Sequence, residues 1–160
     1  MLGVLIQTLI ISISFALLRK VAGGYHMDTY GKCLIVSIAL FVAAALIAKH
    51  TYRYWSIIWL VILITLIFTI GLYVLIKYAP RVTPDRLITD PKEIRKFITF
   101  CIAYICIWLM VVSTLTMLGM KMYALLLCFS ILQELFAIIP TGHKFFDKIK
   151  YGLAQKQKSF

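Results

Sequence analysis

The chain has 160 residues, of which 62% are hydrophobic and only 14% charged, and its mean hydropathy is +0.96. A soluble domain is about half apolar and about a quarter charged, and a globule of this size has too little interior to hide the excess; a disordered chain would need low hydrophobicity. Both are excluded, and the long apolar runs point instead to an all-α, polytopic membrane protein. The 17 Lys and Arg against 6 Asp and Glu give a formal net charge of +11. That charge lies between the runs, where it sets membrane orientation, so no nucleic-acid partner is expected.

Five apolar runs follow one another. Met1 to Leu18 carries no charge, and Arg19-Lys20 follows it instead of preceding it. That order argues against a cleaved signal peptide. Leu34 to Ala48 is short, and at ~1.5 Å per residue it crosses the hydrocarbon only if the helix extends past its ends. Trp55 to Ile76 and Phe97 to Leu118 are full-length runs. Met122 to Ile139 is the fifth, and it contains the polar pair Gln133-Glu134. The runs are continuous rather than alternating, which favours helices over a barrel.

The charges between the runs are unevenly placed. Arg19, Lys20 and Lys32 lie in the first connection, and Lys77, Arg81, Arg86, Lys92, Arg95 and Lys96 in the third. Lys144, Lys148, Lys150, Lys156 and Lys158 lie in the tail. The second and fourth connections hold only Lys49, Arg53 and Lys121. The positive-inside rule places the first connection, the third and the tail in the cytoplasm. The expected organisation is a single integral membrane domain over 1–160. It has a cytoplasmic-side loop at 19–33, a basic central loop at 77–96 and a basic tail at 141–160. Two prolines in Tyr78-Ala79-Pro80-Arg81-Val82-Thr83-Pro84 forbid a helix there. Pro140-Thr141-Gly142 is expected to end the fifth span, and the tail to meet anionic headgroups.

Chemistry is concentrated near the first connection. Cys101, Cys106 and Cys128 lie inside apolar runs, where a free thiol packs as a small hydrophobe. Cys33 instead stands beside Lys32 at the head of the second run. Arg19, His26 and Cys33 are each seven residues apart. Asp28 or Thr29 can N-cap the second helix, which puts Cys33 one turn inside it. A helix N-terminus and nearby cations favour the thiolate, and a neutral His26 imidazole can take the thiol proton and return one to a leaving amine. Seven residues on a straight helix separate Cα atoms by ~10 Å, so a break is expected between His26 and Cys33, at Gly31 or at Asp28-Thr29. Gly23-Gly24 should break the first helix and admit a peptide backbone. Asp28 reads as a cap or as a third catalytic member. For Glu134, costly inside a span, two readings stand: a functional carboxylate, or a side chain reaching the interface to pair with Lys144.

Arg19, the run Ala22-Gly23-Gly24-Tyr25-His26 and Cys33 resemble the signature of the accessory gene regulator B (AgrB) family. Its members are membrane-embedded cysteine endopeptidases of Gram-positive quorum sensing. The family pattern has an Arg, a Gly-rich turn, a catalytic His seven residues after the Arg and a catalytic Cys seven after the His, and this sequence matches each. The Tyr78-Ala79-Pro80 segment is similar to the family's central loop. Family members usually carry another span before the Arg, whereas 18 residues precede Arg19 here. About five spans are therefore expected, with a shortened N-terminus relative to a six-span family.

The resemblance implies catalytic Cys33 and His26, with Arg19, Gly23 and Gly24 in support; Asp28 and Glu134 stand beside them as supporting candidates on the readings above. It implies a multi-pass protein of the cell membrane whose substrate is an AgrD-like propeptide with an acidic C-terminal tail. Cleavage would pass through an acyl-thioester, and closure of a thiolactone or lactone would follow. The partners expected are that propeptide and the lipid bilayer, with a homodimer left open. No cofactor or metal is expected, since neither a Gly-rich phosphate loop nor HExxH occurs. The alternative reading is a non-catalytic signal-peptide exporter or a membrane scaffold.

Overall fold

A computed structural model describes residues 4–23, 30–78 and 91–157. Its described elements are all helices: α1 (Leu5–Ala22), α2 (Tyr30–Thr51), α3 (Ile57–Tyr78), α4 (Pro91–Met117), α5 (Lys121–Ile138) and α6 (Pro140–Gln157). A single 3-10 turn, Tyr52–Tyr54, lies between α2 and α3. Among the described residues five helices, α1 to α5, are long and apolar enough to cross a membrane. The short second run does extend past both ends, so that α2 reaches 22 residues.

α5 is the axis of the bundle. In its most apolar window 56% of residues are buried, against 22–28% in the other four. α1, α2, α3 and α4 all pack against it. Where Ala44, Ala45 and Ala48 of α2 meet Leu125 and Leu126 of α5, small side chains let the backbones approach, as membrane interfaces require. Gly71 does the same between α3 and α4: a Cβ there would come within 2.5 Å of Ile105 Cδ1. Outward-facing Ile58, Ile35, Met110 and Ile76 stay exposed, as a lipid-facing surface should.

Buried polar groups tie the helices together at mid-length. The Tyr104 hydroxyl donates to the Ser14 carbonyl oxygen at 2.7 Å and lies 3.0 Å from Ser14 Oγ. Ser130 Oγ is 2.8 Å from Ser14 Oγ and also donates to Leu127 O. Trp108 Nε1 donates to Leu127 O at 3.1 Å. Lipid offers no alternative partner, so these bonds fix how α1, α4 and α5 are rotated against one another.

The turns follow from local residue types. α4 ends at Gly119, whose φ of 74° suits glycine. Met120 N–H returns to Leu115 O and Gly119 N–H to Thr116 O, a Schellman closure that launches α5 at once. At the other end Ile139 is extended, as a residue before proline prefers. Pro140 then occupies the first position of α6. The expectation that Pro140 ends the fifth span holds, and the same residue starts another helix: the tail is helical from Pro140 to Gln157. Pro80 and Pro84 lie outside the described residues.

Candidate functional site

The antiparallel order of the helices gathers the C-terminal ends of α1 and α5, the N-terminal end of α2 and the first turns of α6. They enclose a cavity of about 30 Å³, lined among others by Arg19, Cys33, Ser37, Gln133 and Phe146. That volume holds a water molecule or one small group. Cys33 is the fourth residue of α2 and is half-buried, one turn inside the helix as its spacing predicts. The expected bend at Gly31 is corrected: Gly31 is the second residue of α2, and a Cβ added to it would meet nothing within 4 Å. The alternative bend at Asp28-Thr29 lies outside the described residues.

Gly23 closes α1 with φ 77° and ψ −156°. Its N–H donates to Arg19 O at 3.0 Å. This is the helix break expected of the glycine pair, and at that φ a side chain would be strained. Gly24, His26 and Asp28 lie outside the described residues, and so does Thr29, the other candidate cap.

Arg19 and Glu134 are brought together across α1 and α5. Arg19 Nη1 stands 3.7 Å from Glu134 Oε2, with the Glu134 side chain fully buried and that of Arg19 19% exposed. The guanidinium also sits 5.4 Å from the Phe15 ring centroid. Phe15 packs edge-on to Phe41 at 5.0 Å, and both rings line the cavity. The reading that pairs Glu134 with Lys144 is corrected. Glu134 faces α1 inside the bundle, whereas Lys144 is exposed on α6. A buried carboxylate in a span is tolerated when a charge partner offsets its desolvation, and Arg19 is that partner.

Two further residues join the site. Gln133 Nε2 donates to Leu40 O at 3.0 Å, linking α5 to α2. Its Oε1 is buried and, among the described residues, accepts no hydrogen bond. Phe146 comes from α6, and with Phe145 of α6 and Phe136 of α5 it forms an edge-to-face triangle with centroids 5.5–5.8 Å apart. Gly142 makes that corner possible, because a Cβ there would overlap the Phe136 carbonyl oxygen. Sequence reasoning noted Gln133 only as part of a polar pair and gave α6 no place in the site. The signal for α6 was the spacing of Phe145, Phe146, Ile149 and Leu153 along one helical face.

The other cysteines stand apart from this cavity. Cys101 and Cys128 are buried and Cys106 is exposed. Among the described residues no group of three or more His, Cys, Asp and Glu could hold a metal ion.

Comparison with known proteins adds a family. The family model described as Accessory gene regulator B matches residues 1–138. Two curated relatives are named Accessory gene regulator protein B. The one from Staphylococcus aureus strain MW2 is 35% identical over 96 residues, which is 57% of this chain and 48% of the relative. The one from strain MRSA252 is 34% identical over the same shares. The chain thus aligns with about half the length of the curated relatives it matches. No solved structure matches it.

Proposed function

Because the chain belongs to the accessory gene regulator B family, we propose that it acts in agr quorum sensing as a membrane-embedded cysteine endopeptidase. Its substrate is an AgrD-like propeptide. The observation that carries this reading is the shared cavity of Cys33 and Arg19, with the thiol one turn inside α2 and the guanidinium held by a buried carboxylate.

The chemistry proceeds as follows. His26 takes the proton of Cys33, and Sγ attacks the carbonyl carbon at the junction of signal segment and acidic tail. The C–N bond breaks, the departing amine takes the proton from His26, and an acyl-thioester remains on Cys33. A thiol or hydroxyl of the signal segment then attacks that carbonyl. The C–S bond to Cys33 breaks, the thiol regains a proton, and a thiolactone or lactone closes. Thioester exchange between thiols is nearly isoenergetic, so exclusion of water decides between ring closure and hydrolysis. A cavity of about 30 Å³ walled by Phe15, Phe41 and Phe146 suits that exclusion.

Arg19 supplies positive charge for the oxyanion or a substrate carboxylate, and Glu134 holds it in place. In this mechanism Gly23 and Gly24 serve the approach of the peptide backbone, with Asp28 in a supporting role. The basic segments at 77–96 and 141–160 attract the acidic peptide tail from the cytoplasmic side.

Co-expression with the propeptide encoded beside the gene tests the proposal. The wild type shortens the peptide on a gel, and Cys33→Ala and His26→Ala each abolish shortening. Full processing by Cys33→Ala, with secretion intact, would favour a non-catalytic exporter or scaffold.

A further inference from the structure

Gln133 is placed to do more than join two helices. Leu40 O is a carbonyl and can only accept, so the atom facing it is the amide nitrogen, and its 3.0 Å bond fixes the carboxamide plane. Among the described residues the oxygen has no donor and is buried, on a residue that lines the same cavity as Cys33. A buried acceptor without a partner is costly in a low-dielectric setting. Its place in the cavity that Cys33 also lines points to a donor that arrives with a ligand.

The cavity selects the kind of donor. Arg19 lines it too, and its positive charge disfavours an ammonium or guanidinium. Phe15, Val36, Phe41, Ala137 and Phe146 make most of the wall apolar, and about 30 Å³ admits only a small group. A neutral backbone N–H meets all three conditions. A carbonyl attacked by Cys33 must come within about 3–3.5 Å of Sγ, which sets one neighbouring N–H of the peptide at the mouth of this cavity. We infer that Gln133 Oε1 accepts a hydrogen bond from a backbone N–H of the peptide beside the scissile bond, fixing the register in which Cys33 meets it. This rests on the peptidase reading given above and adds a substrate-binding residue to it.

The test is a binding measurement on full-length Cys33→Ala protein in detergent. The probes are synthetic copies of the propeptide in which one backbone amide near the junction is replaced by an ester, removing a single N–H. One position should weaken binding roughly tenfold, the loss typical of a buried hydrogen bond. Adding Gln133→Met should weaken the all-amide peptide by a similar factor and abolish sensitivity at that position alone. Gln133→Asn, which keeps the amide but withdraws it by one methylene, repeats the measurement if the Met variant fails to fold.

No ester-sensitive position, or one whose sensitivity survives both substitutions, overturns the inference; an ordered water would then be the partner of Oε1. Cleavage by the Gln133-intact, Cys33-intact protein is followed in parallel. Coupled binding without cleavage sinks the peptidase reading alone, and cleavage without coupling sinks the Gln133 assignment alone.

Discussion

Halfway along the bundle and at its α1–α5 end, the same helices handle buried polarity in opposite ways. At mid-length Ser14, Tyr104 and Ser130 are neutral hydroxyls that satisfy one another and nearby carbonyls. About one turn further, α1 and α5 carry Arg19, Gln133 and Glu134, with a charge pair at 3.7 Å and a carboxamide oxygen that accepts nothing. A network with every group paired locks helices in place. Charges and an unpaired acceptor around a cavity with a thiol cost stability and leave bonding capacity for something else. On the proposed function, the contrast separates polarity that builds the fold from polarity kept for a ligand.

The largest expected effect breaks the comparison at the thiol. Cys33→Ser should lower propeptide processing by roughly a thousandfold or more and leave the thermal midpoint in detergent unchanged, whereas Cys106→Ser should alter neither. Next comes the ion pair. Arg19→Ala strands the buried Glu134 carboxylate and should cost about 3–5 kcal/mol of stability. Adding Glu134→Gln removes the stranded charge and should restore much of that stability without restoring processing. Equal instability of the single and double variants in a denaturation series would show that the pair does not explain why Glu134 is tolerated.

A smaller effect is expected at the α5–α6 corner. Gly142→Ala forces a methyl into the Phe136 carbonyl and should cost about 1–3 kcal/mol. It should lift Phe146 from the cavity, which a faster reaction of Cys33 with a maleimide would report. An unchanged alkylation rate would mean that Phe146 does not cover the thiol. The smallest effect sharpens the other side of the comparison. Ser130→Ala should cost about 0.6 kcal/mol, the average for an interhelical membrane hydrogen bond, with processing unaltered.

Much of the fold was legible because lipid leaves a spanning chain few options. Run length and continuity gave five helices, and a lengthened second helix was required for Leu34 to Ala48 to cross at all. Local structure was legible where residues lie close in sequence: Gly23 breaks α1 as expected, and Cys33 stands in the first turns of α2. The site was not legible across the bundle. Nothing local in α5 tells that Glu134 faces Arg19 rather than Lys144, because that depends on how α5 is rotated against α1, and distant contacts such as Ser14 with Ser130 set the rotation. Gln133 was hidden for the same reason, since its role depends on which of its two amide atoms Leu40 engages. Gly31 misled because a glycine near an expected bend also fits the first turn of a helix with no neighbour to exclude a side chain.

The central claim is that the sulfur of Cys33 carries the substrate's acyl group. The direct measurement is mass spectrometry of the protein quenched in acid after brief mixing with its propeptide. The expected result is an adduct on Cys33 equal to the peptide minus its acidic tail, released by hydroxylamine and absent from Cys33→Ser and His26→Ala proteins. Shortened peptide appearing at the wild-type rate from the Cys33→Ser protein, with no adduct on any residue, would contradict it.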